Sequence, residues 1–174
     1  MQIAEKIKNC GRGFMKSAFH FGKPVVYYEK QTKEGENMEE SKVPQAAQNR
    51  MVGFIAYCGA ELIKCSPEEG CETRVVIQPH HRNFYGNVHG GMISTLMDAT
   101  AGLTASFAGP EQRPAVTRSA DIHYFLPVTG SIMTALGHVI RAGKTMCLVY
   151  VDVMDDKDTI CATGAFEYFY VDHH

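Results

Sequence analysis

Asn83-Phe84-Tyr85-Gly86-Asn87-Val88-His89-Gly90-Gly91-Met92-Ile93-Ser94-Thr95-Leu96-Met97-Asp98 is a loop that turns into a helix, and the rest of the chain is organised around it. Gly86, Gly90 and Gly91 permit positive φ and close backbone approach, and Met92, Ile93, Leu96, Leu103 and Phe107 follow at helical spacing. Small residues (Ala99, Ala101, Gly102, Ala105, Ser106) occupy much of the remaining circumference, which suits a helix enclosed by other protein. Asp98 is the one carboxylate in this helix. With a rise of about 1.5 Å per residue, the Gly90 amide and the Asp98 carboxylate stand roughly 12 Å apart along the axis, too far to share a small substrate group within one chain. Two copies running antiparallel across a two-fold axis would bring the N-terminal amides of one toward the acid of the other, so the stretch predicts a dimer with shared sites.

Composition narrows the rest. A chain of 174 residues with 45% hydrophobic and 21% charged residues suits one core, and no apolar run approaches the length of a bilayer span. A net charge of -2 offers no broad basic field for nucleic acid. Six cysteines (Cys10, Cys58, Cys65, Cys71, Cys147, Cys161) are scattered without a Cys-x-x-Cys pair and are expected as reduced thiols. Eight histidines show no zinc-like spacing, and no metal is expected.

In chain order, residues 1–22 carry apolar residues near helical spacing between Lys6, Lys8, Arg12 and Lys16, which predicts an amphipathic basic helix or a targeting segment. Residues 23–30 read as a short strand and residues 31–43 as a polar linker. A helix is expected from Pro44 to about Tyr57. Two strands follow at 60–65 and 73–77, joined by a turn at Ser66-Pro67-Glu68-Glu69-Gly70. The central helix spans about 91–107 and stops at Gly109-Pro110. Four more strands follow, at about 115–125, 131–141, 145–155 and 159–170, and the short loops joining the last three predict an antiparallel meander. The pattern alone permits any α+β sheet with a helix packed on one face.

Asn-(x)5-His-Gly-Gly-(x)6-Asp, here Asn83, His89, Gly90, Gly91 and Asp98, resembles the motif of hotdog-fold acyl-CoA thioesterases of the phenylacetate-degradation type and of the related thioesterase superfamily members. The resemblance runs from about Met51 to Tyr170. It implies an α+β hotdog fold, an antiparallel sheet wrapped around a central helix, with a domain over residues 51–174 and an N-terminal extension over residues 1–50. It further implies hydrolysis of an acyl-CoA to free acid and CoA by a homodimer or homotetramer, in the cytoplasm or mitochondria. CoA enters as part of the substrate; no metal, redox cofactor, nucleic acid or integral membrane association is expected. The alternative is a non-catalytic acyl-CoA binding or sensing module on the same fold. A hydratase or dehydratase ranks last.

The residues divide by role. Asp98 is the expected nucleophile or general base, since a carboxylate in a water-poor site gains basicity. Gly90 and Gly91 open the helix, where free N–H groups and the positive dipole end favour an oxyanion, and the resemblance assigns the Gly90 amide to the thioester carbonyl. It also assigns His89 to positioning, Asn83 to orienting water or thioester, and Thr117 to holding the water or carboxylate. For Asn83 an Asx-type turn is the rival reading. Tyr124, Arg141 and Lys144 match CoA-contacting positions, and the two cations flank the Ala142-Gly143 turn. Phe84 and Tyr85 are candidate walls of an acyl pocket. Departures from the pattern are a short loop after Pro127, the pair Arg118 and His123 in the strand that flanks the site, and an N-terminal extension longer than a bare domain needs, for which covering the pocket is one expected role.

Overall fold

A computed structural model describes residues 15–20, 23–28, 43–108 and 112–171. The chain divides into two compact units, Met1–Glu40 and Ser41–His174. In the first, β1 (Met15–His20) and β2 (Lys23–Tyr28) pair antiparallel, Met15 with Tyr28 and His20 with Lys23. β2 is the strand expected at 23–30. β1 replaces the end of the helix expected over residues 1–22: pairing with a partner rich in β-branched and aromatic residues outweighs a weak helical pattern. Residues 1–14 and 31–42, which carry the rest of that helix and most of the linker, lie outside the described residues.

The second unit begins with two short helices, α1 (Gln45–Gln48) and α2 (Phe54–Tyr57), where one continuous helix was expected. The break falls at Gly53, whose φ of 60° and ψ of -127° suit glycine alone. Six strands follow: β3 (Ala60–Ser66), β4 (Gly70–Val76), β5 (Ala115–Tyr124), β6 (Ile132–Ala142), β7 (Met146–Asp155) and β8 (Ile160–Tyr170). They form one antiparallel sheet in the order β3-β4-β6-β7-β8-β5. The long helix α3 (Gly90–Phe107) packs against it, as the hotdog arrangement requires. The Gly109-Pro110 stop lies outside the described residues. No helix among the described residues is long and apolar enough to cross a membrane.

Alternation explains the core. Along β7, Cys147, Val149, Val151 and Val153 are buried, and they meet Met133 and Ala135 of β6, Phe166 of β8 and Leu96, Met97 and Ala101 of α3. Cys65 and Cys71 stand opposite each other in the β3–β4 hairpin with Cα atoms 4.0 Å apart and are joined as a disulfide. This corrects the expectation of reduced thiols: hairpin register aligned two cysteines whose sequence spacing signals nothing. Cys58, Cys147 and Cys161 are free and buried, and Cys10 lies outside the described residues.

Polar contacts set the seat of α3. The Thr73 and Thr100 hydroxyls meet at 2.6 Å in the dry interior, and Thr100 donates to the Leu96 carbonyl, so its oxygen accepts from Thr73. One turn on, Thr104 donates to the Thr100 carbonyl and accepts the Cys71 N–H at 3.2 Å. Thr100→Val alone should strand the Thr73 hydroxyl and cost about 1–3 kcal/mol, while the Thr73→Val/Thr100→Val pair, which removes both partners, should recover most of that loss. Urea unfolding of the four proteins of the double-mutant cycle measures this; simple additivity would show that the contact carries no coupling.

Candidate active site

The helix N-terminus is built by its own loop. Nδ1 of His89 accepts the Gly91 N–H at 2.9 Å, and the His89 carbonyl accepts from Met92 and Ile93. The Gly90 N–H is therefore left without an acceptor among the described residues, in the position of a ready anion donor. His89 is anchored in turn, its N–H donating to the His81 carbonyl at 2.8 Å. His81 is buried, and its Nδ1 accepts the Gln78 N–H at 3.0 Å, which places its ring proton on Nε2. Asn83 behaves as the Asx-type reading expects: its Oδ1 accepts from the Tyr85 and Asn87 N–H groups at 3.0 and 3.2 Å and closes the loop. Phe84 and Tyr85 stack on that loop, ring centroids 3.7 Å apart, and are exposed.

Asp98 lies midway along α3. It is exposed in the single chain, not enclosed as a water-poor site would require. One oxygen, Oδ1, accepts from the Thr117 hydroxyl at 2.7 Å and the Tyr168 hydroxyl at 2.8 Å, and the same phenol also reaches the Asp98 carbonyl at 2.6 Å. Oδ2 has no partner among the described residues. Tyr168 comes up from β8 beneath the helix, where Gly102 makes room: a Cβ there would stand 3.3 Å from the phenol ring and oxygen. Burial, reinforced by the Asp98 charge, pushes the Tyr168 hydroxyl well above its usual range, so it remains a donor.

A β-bulge aims the facing strand. Thr117 pairs with Tyr168 but Ser119 pairs with Glu167, so Arg118 is the extra residue. The inserted residue changes the parity of β5, placing Thr117, Ala120, Ile122 and Tyr124 on one face. Glu167 fastens the bulge from outside, accepting from Arg118 Nη1 at 2.9 Å and Ser119 Oγ at 2.8 Å. Two open grooves meet at Asp98. One, of about 340 Å³, is lined by Phe54, Ile55, Ser94, Thr95, Ala120, Ile122 and Phe166. The other, about 360 Å³, follows α3 toward its C-terminal end and takes in Met51, Ile55, Gly102, Thr117 and Tyr168.

Of the nine residues singled out from the sequence, Asp98 and Thr117 meet directly, as do His89 and Gly91. Tyr124 stands at the helix N-terminus, its hydroxyl 3.4 Å from the Gly90 carbonyl. Arg141 and Lys144 are exposed on the β6–β7 hairpin, beside Thr145, whose carbonyl accepts the Tyr170 N–H, and thus at the opposite end of the sheet. The structure does not gather these three in one chain. Sequence reasoning missed Tyr168, Glu167, His81 and the groove-lining Arg50, Met51 and Ile55. Alternation along β8 would have turned Tyr168 inward with Phe166, but no spacing names Asp98 as its partner.

The thioesterase superfamily sequence model matches residues 85–162. The chain is 33% identical over 114 residues to a Halobacterium salinarum protein assigned as an esterase, covering 62% of this chain and 73% of that one. It is 30% identical over 94 residues to mouse acyl-coenzyme A thioesterase 13, a match that takes in 53% of this chain and spans 65% of the mouse protein's length. Among solved structures, a conserved Pseudomonas aeruginosa protein superposes with a TM-score of 0.66 at 26% identity, over 72% of this chain and 99% of that one.

Acid should loosen the loop that holds the helix N-terminus. Burial lowers the His81 pKa from the ordinary 6.5, the neighbouring His80 acts in the same direction, and the nearby Cys58 backbone opposes them. A folded value below the unfolded one means that the unfolded chain binds the extra proton more readily. The stabilisation is whole above about pH 6.5 and is lost as pH falls below that value and through the lower folded one. Hydrogen exchange at the Gln78 and His89 amides, corrected for intrinsic rates, should quicken over that window. His81→Asn, whose side-chain oxygen can replace Nδ1, should remove the pH response; a response unaltered in this variant would assign it elsewhere.

Proposed function

The chain belongs to the thioesterase superfamily, and from that premise we propose that it hydrolyses acyl-CoA thioesters in a site shared between two copies of the chain. The observation that carries the reading is the Asp98 carboxylate, pinned through Oδ1 by Thr117 and Tyr168 where two grooves meet. Pinning one oxygen fixes the direction of the other. Oδ2 takes a proton from a water molecule, the water oxygen attacks the thioester carbonyl, the carbon–sulfur bond breaks, and the proton leaves on the CoA thiol. Negative charge on the carbonyl oxygen needs donors aimed at it, and the free Gly90 N–H at the positive end of α3 is suited to that role. The chemistry calls for no metal or redox cofactor.

Gly90 and Asp98 of one α3 are eight residues apart, roughly 12 Å along the axis, so the donor comes from a second copy. The edge strand β5 supports this. Its outer edge is unpaired among the described residues, and Val116, Tyr124 and Leu126 along and just beyond it are 50%, 51% and 50% exposed. Antiparallel pairing of two such edges would set the Tyr124–Gly90 end of one copy beside the Thr117–Asp98 end of the other. It would likewise bring Arg141 and Lys144 of one copy together with Tyr124 of the next.

Thiol release from short, medium, long and aromatic acyl-CoAs should be measured for the wild type, Asp98→Asn, Thr117→Val and Tyr168→Phe. Asp98→Asn should lower kcat by about 10²- to 10⁴-fold while CoA thioesters still bind, and the other two by smaller factors. Thioester binding without turnover by the wild type would instead favour a binding or sensing module.

A further inference from the structure

We propose that the short helix α2 sets the length of acyl tail that the site accepts, with Phe54 as the stop and Gly53 fixing where that stop stands. This rests on the acyl-CoA reading above. Among the described residues, Asp98 and Ile55 alone line both grooves, so the junction at which a thioester carbon meets the acid lies between them. Phe54 lines only the groove that also takes in Ser94 and Thr95, so it stands off the junction, along the path of a tail. Ser94 and Thr95 precede Asp98 on α3 by roughly one helical turn, which gives that path its direction. Phe54 is 66% exposed, an apolar ring at the groove rim that a tail would cover.

The lining also selects the tail by charge. Asp98 is the only charged residue in this groove among the described residues, and Ile55, Ala120, Ile122 and Phe166 make most of its wall. The Ser94 hydroxyl is already committed as a donor to the Gly91 carbonyl at 3.0 Å. A tail ending in a carboxylate would meet the Asp98 charge with no cation to offset it, so the groove favours an uncharged, apolar acyl group. Backbone geometry places the stop. Gly53, at φ 60° and ψ -127°, turns the chain into α2, and its carbonyl accepts the Tyr57 N–H at 2.9 Å. Ile55 packs against the core and holds the inner side of the helix. A Cβ on Gly53 would meet nothing within 4 Å, so Gly53→Ala acts through the backbone dihedrals alone and shifts α2 without touching Asp98. Tyr57 belongs to the same helix and is 82% exposed, but it lines neither groove, which makes it the control. All of α2 precedes residues 85–162, where the superfamily model matches.

The test measures kcat/KM for butyryl-, succinyl-, octanoyl- and hexadecanoyl-CoA with the wild type, Phe54→Ala, Phe54→Trp, Gly53→Ala and Tyr57→Ala. The ratio of hexadecanoyl to octanoyl should rise by about tenfold or more in Phe54→Ala and fall in Phe54→Trp. It should move in the sense of Phe54→Ala, by a smaller factor, in Gly53→Ala and stay at the wild-type value in Tyr57→Ala. Succinyl-CoA, which carries a carboxylate in place of the terminal methyl of butyryl-CoA, should be the poorer wild-type substrate by at least about tenfold. Because each readout is a ratio within one protein, partial loss of fold does not imitate it. A length ratio unchanged in both Phe54 variants overturns the stop, and one unchanged in Gly53→Ala overturns the part given to Gly53. An equal shift in Tyr57→Ala, or equal turnover of succinyl- and butyryl-CoA, overturns the groove assignment. Should the wild type release no thiol from any thioester, the hydrolase reading fails separately. Calorimetric binding of octanoyl- and hexadecanoyl-CoA, wild type against Phe54→Ala, then decides the stop by the same ratio.

Discussion

The seating of α3 on the sheet is the constraint on which the rest depends. Thr73, Thr100 and Thr104 form a buried chain of hydroxyls between β4 and the helix, and Gly137 of β6 lies so close beneath that an added Cβ would collide with the Thr104 hydroxyl. A helix packed by apolar contacts alone can rotate or slide at modest cost, because such contacts are non-directional. Hydroxyls that must find partners in a dry interior fix both rotation and height. With those settled, the strip of α3 bearing Asp98, Gly102 and Ser106 has one place to go. It faces the seam beside β5, where the grooves run.

That arrangement was only partly legible in the sequence. Helix and strands of the main sheet show clean periodicities, 3.6 for α3 and two for β7, because each buries one face. The glycine-rich loop and Asp98 stand out because a carboxylate in an apolar helix and paired glycines at its start are locally conspicuous. Short segments misled. The span 44–57 has helical composition, yet one glycine at φ 60° divides it. At 15–20 the helical pattern gives way to pairing with β2. Both failures come from backbone geometry or long-range pairing outweighing local propensity.

The site contacts were the least legible, for a related reason. Tyr168 reaches Asp98 from 70 positions away, and the connection depends on Gly102 leaving space for a ring that no local pattern announces. The bulge at Arg118 is subtler. Strict alternation from Thr117 would turn Ser119 and Asp121 toward the helix in place of Ala120 and Ile122. A single extra residue, held from the far face by Glu167, exchanges those sets and converts a polar wall into an apolar one. The effect of Arg118 is thus felt on the face opposite its own side chain.

One chain holds the parts of the site but not their assembly. Asp98 is oriented yet exposed, and the Gly90 N–H is free yet about two helical turns away. The separation originates in the length of α3, which places amide donor and acid in sequence along one axis. A straight helix cannot fold that line back on itself, whereas an antiparallel copy reverses it and sets each end beside the other's middle. The same rigid seating that orients Asp98 within its own subunit therefore makes the proposed site dependent on a second one.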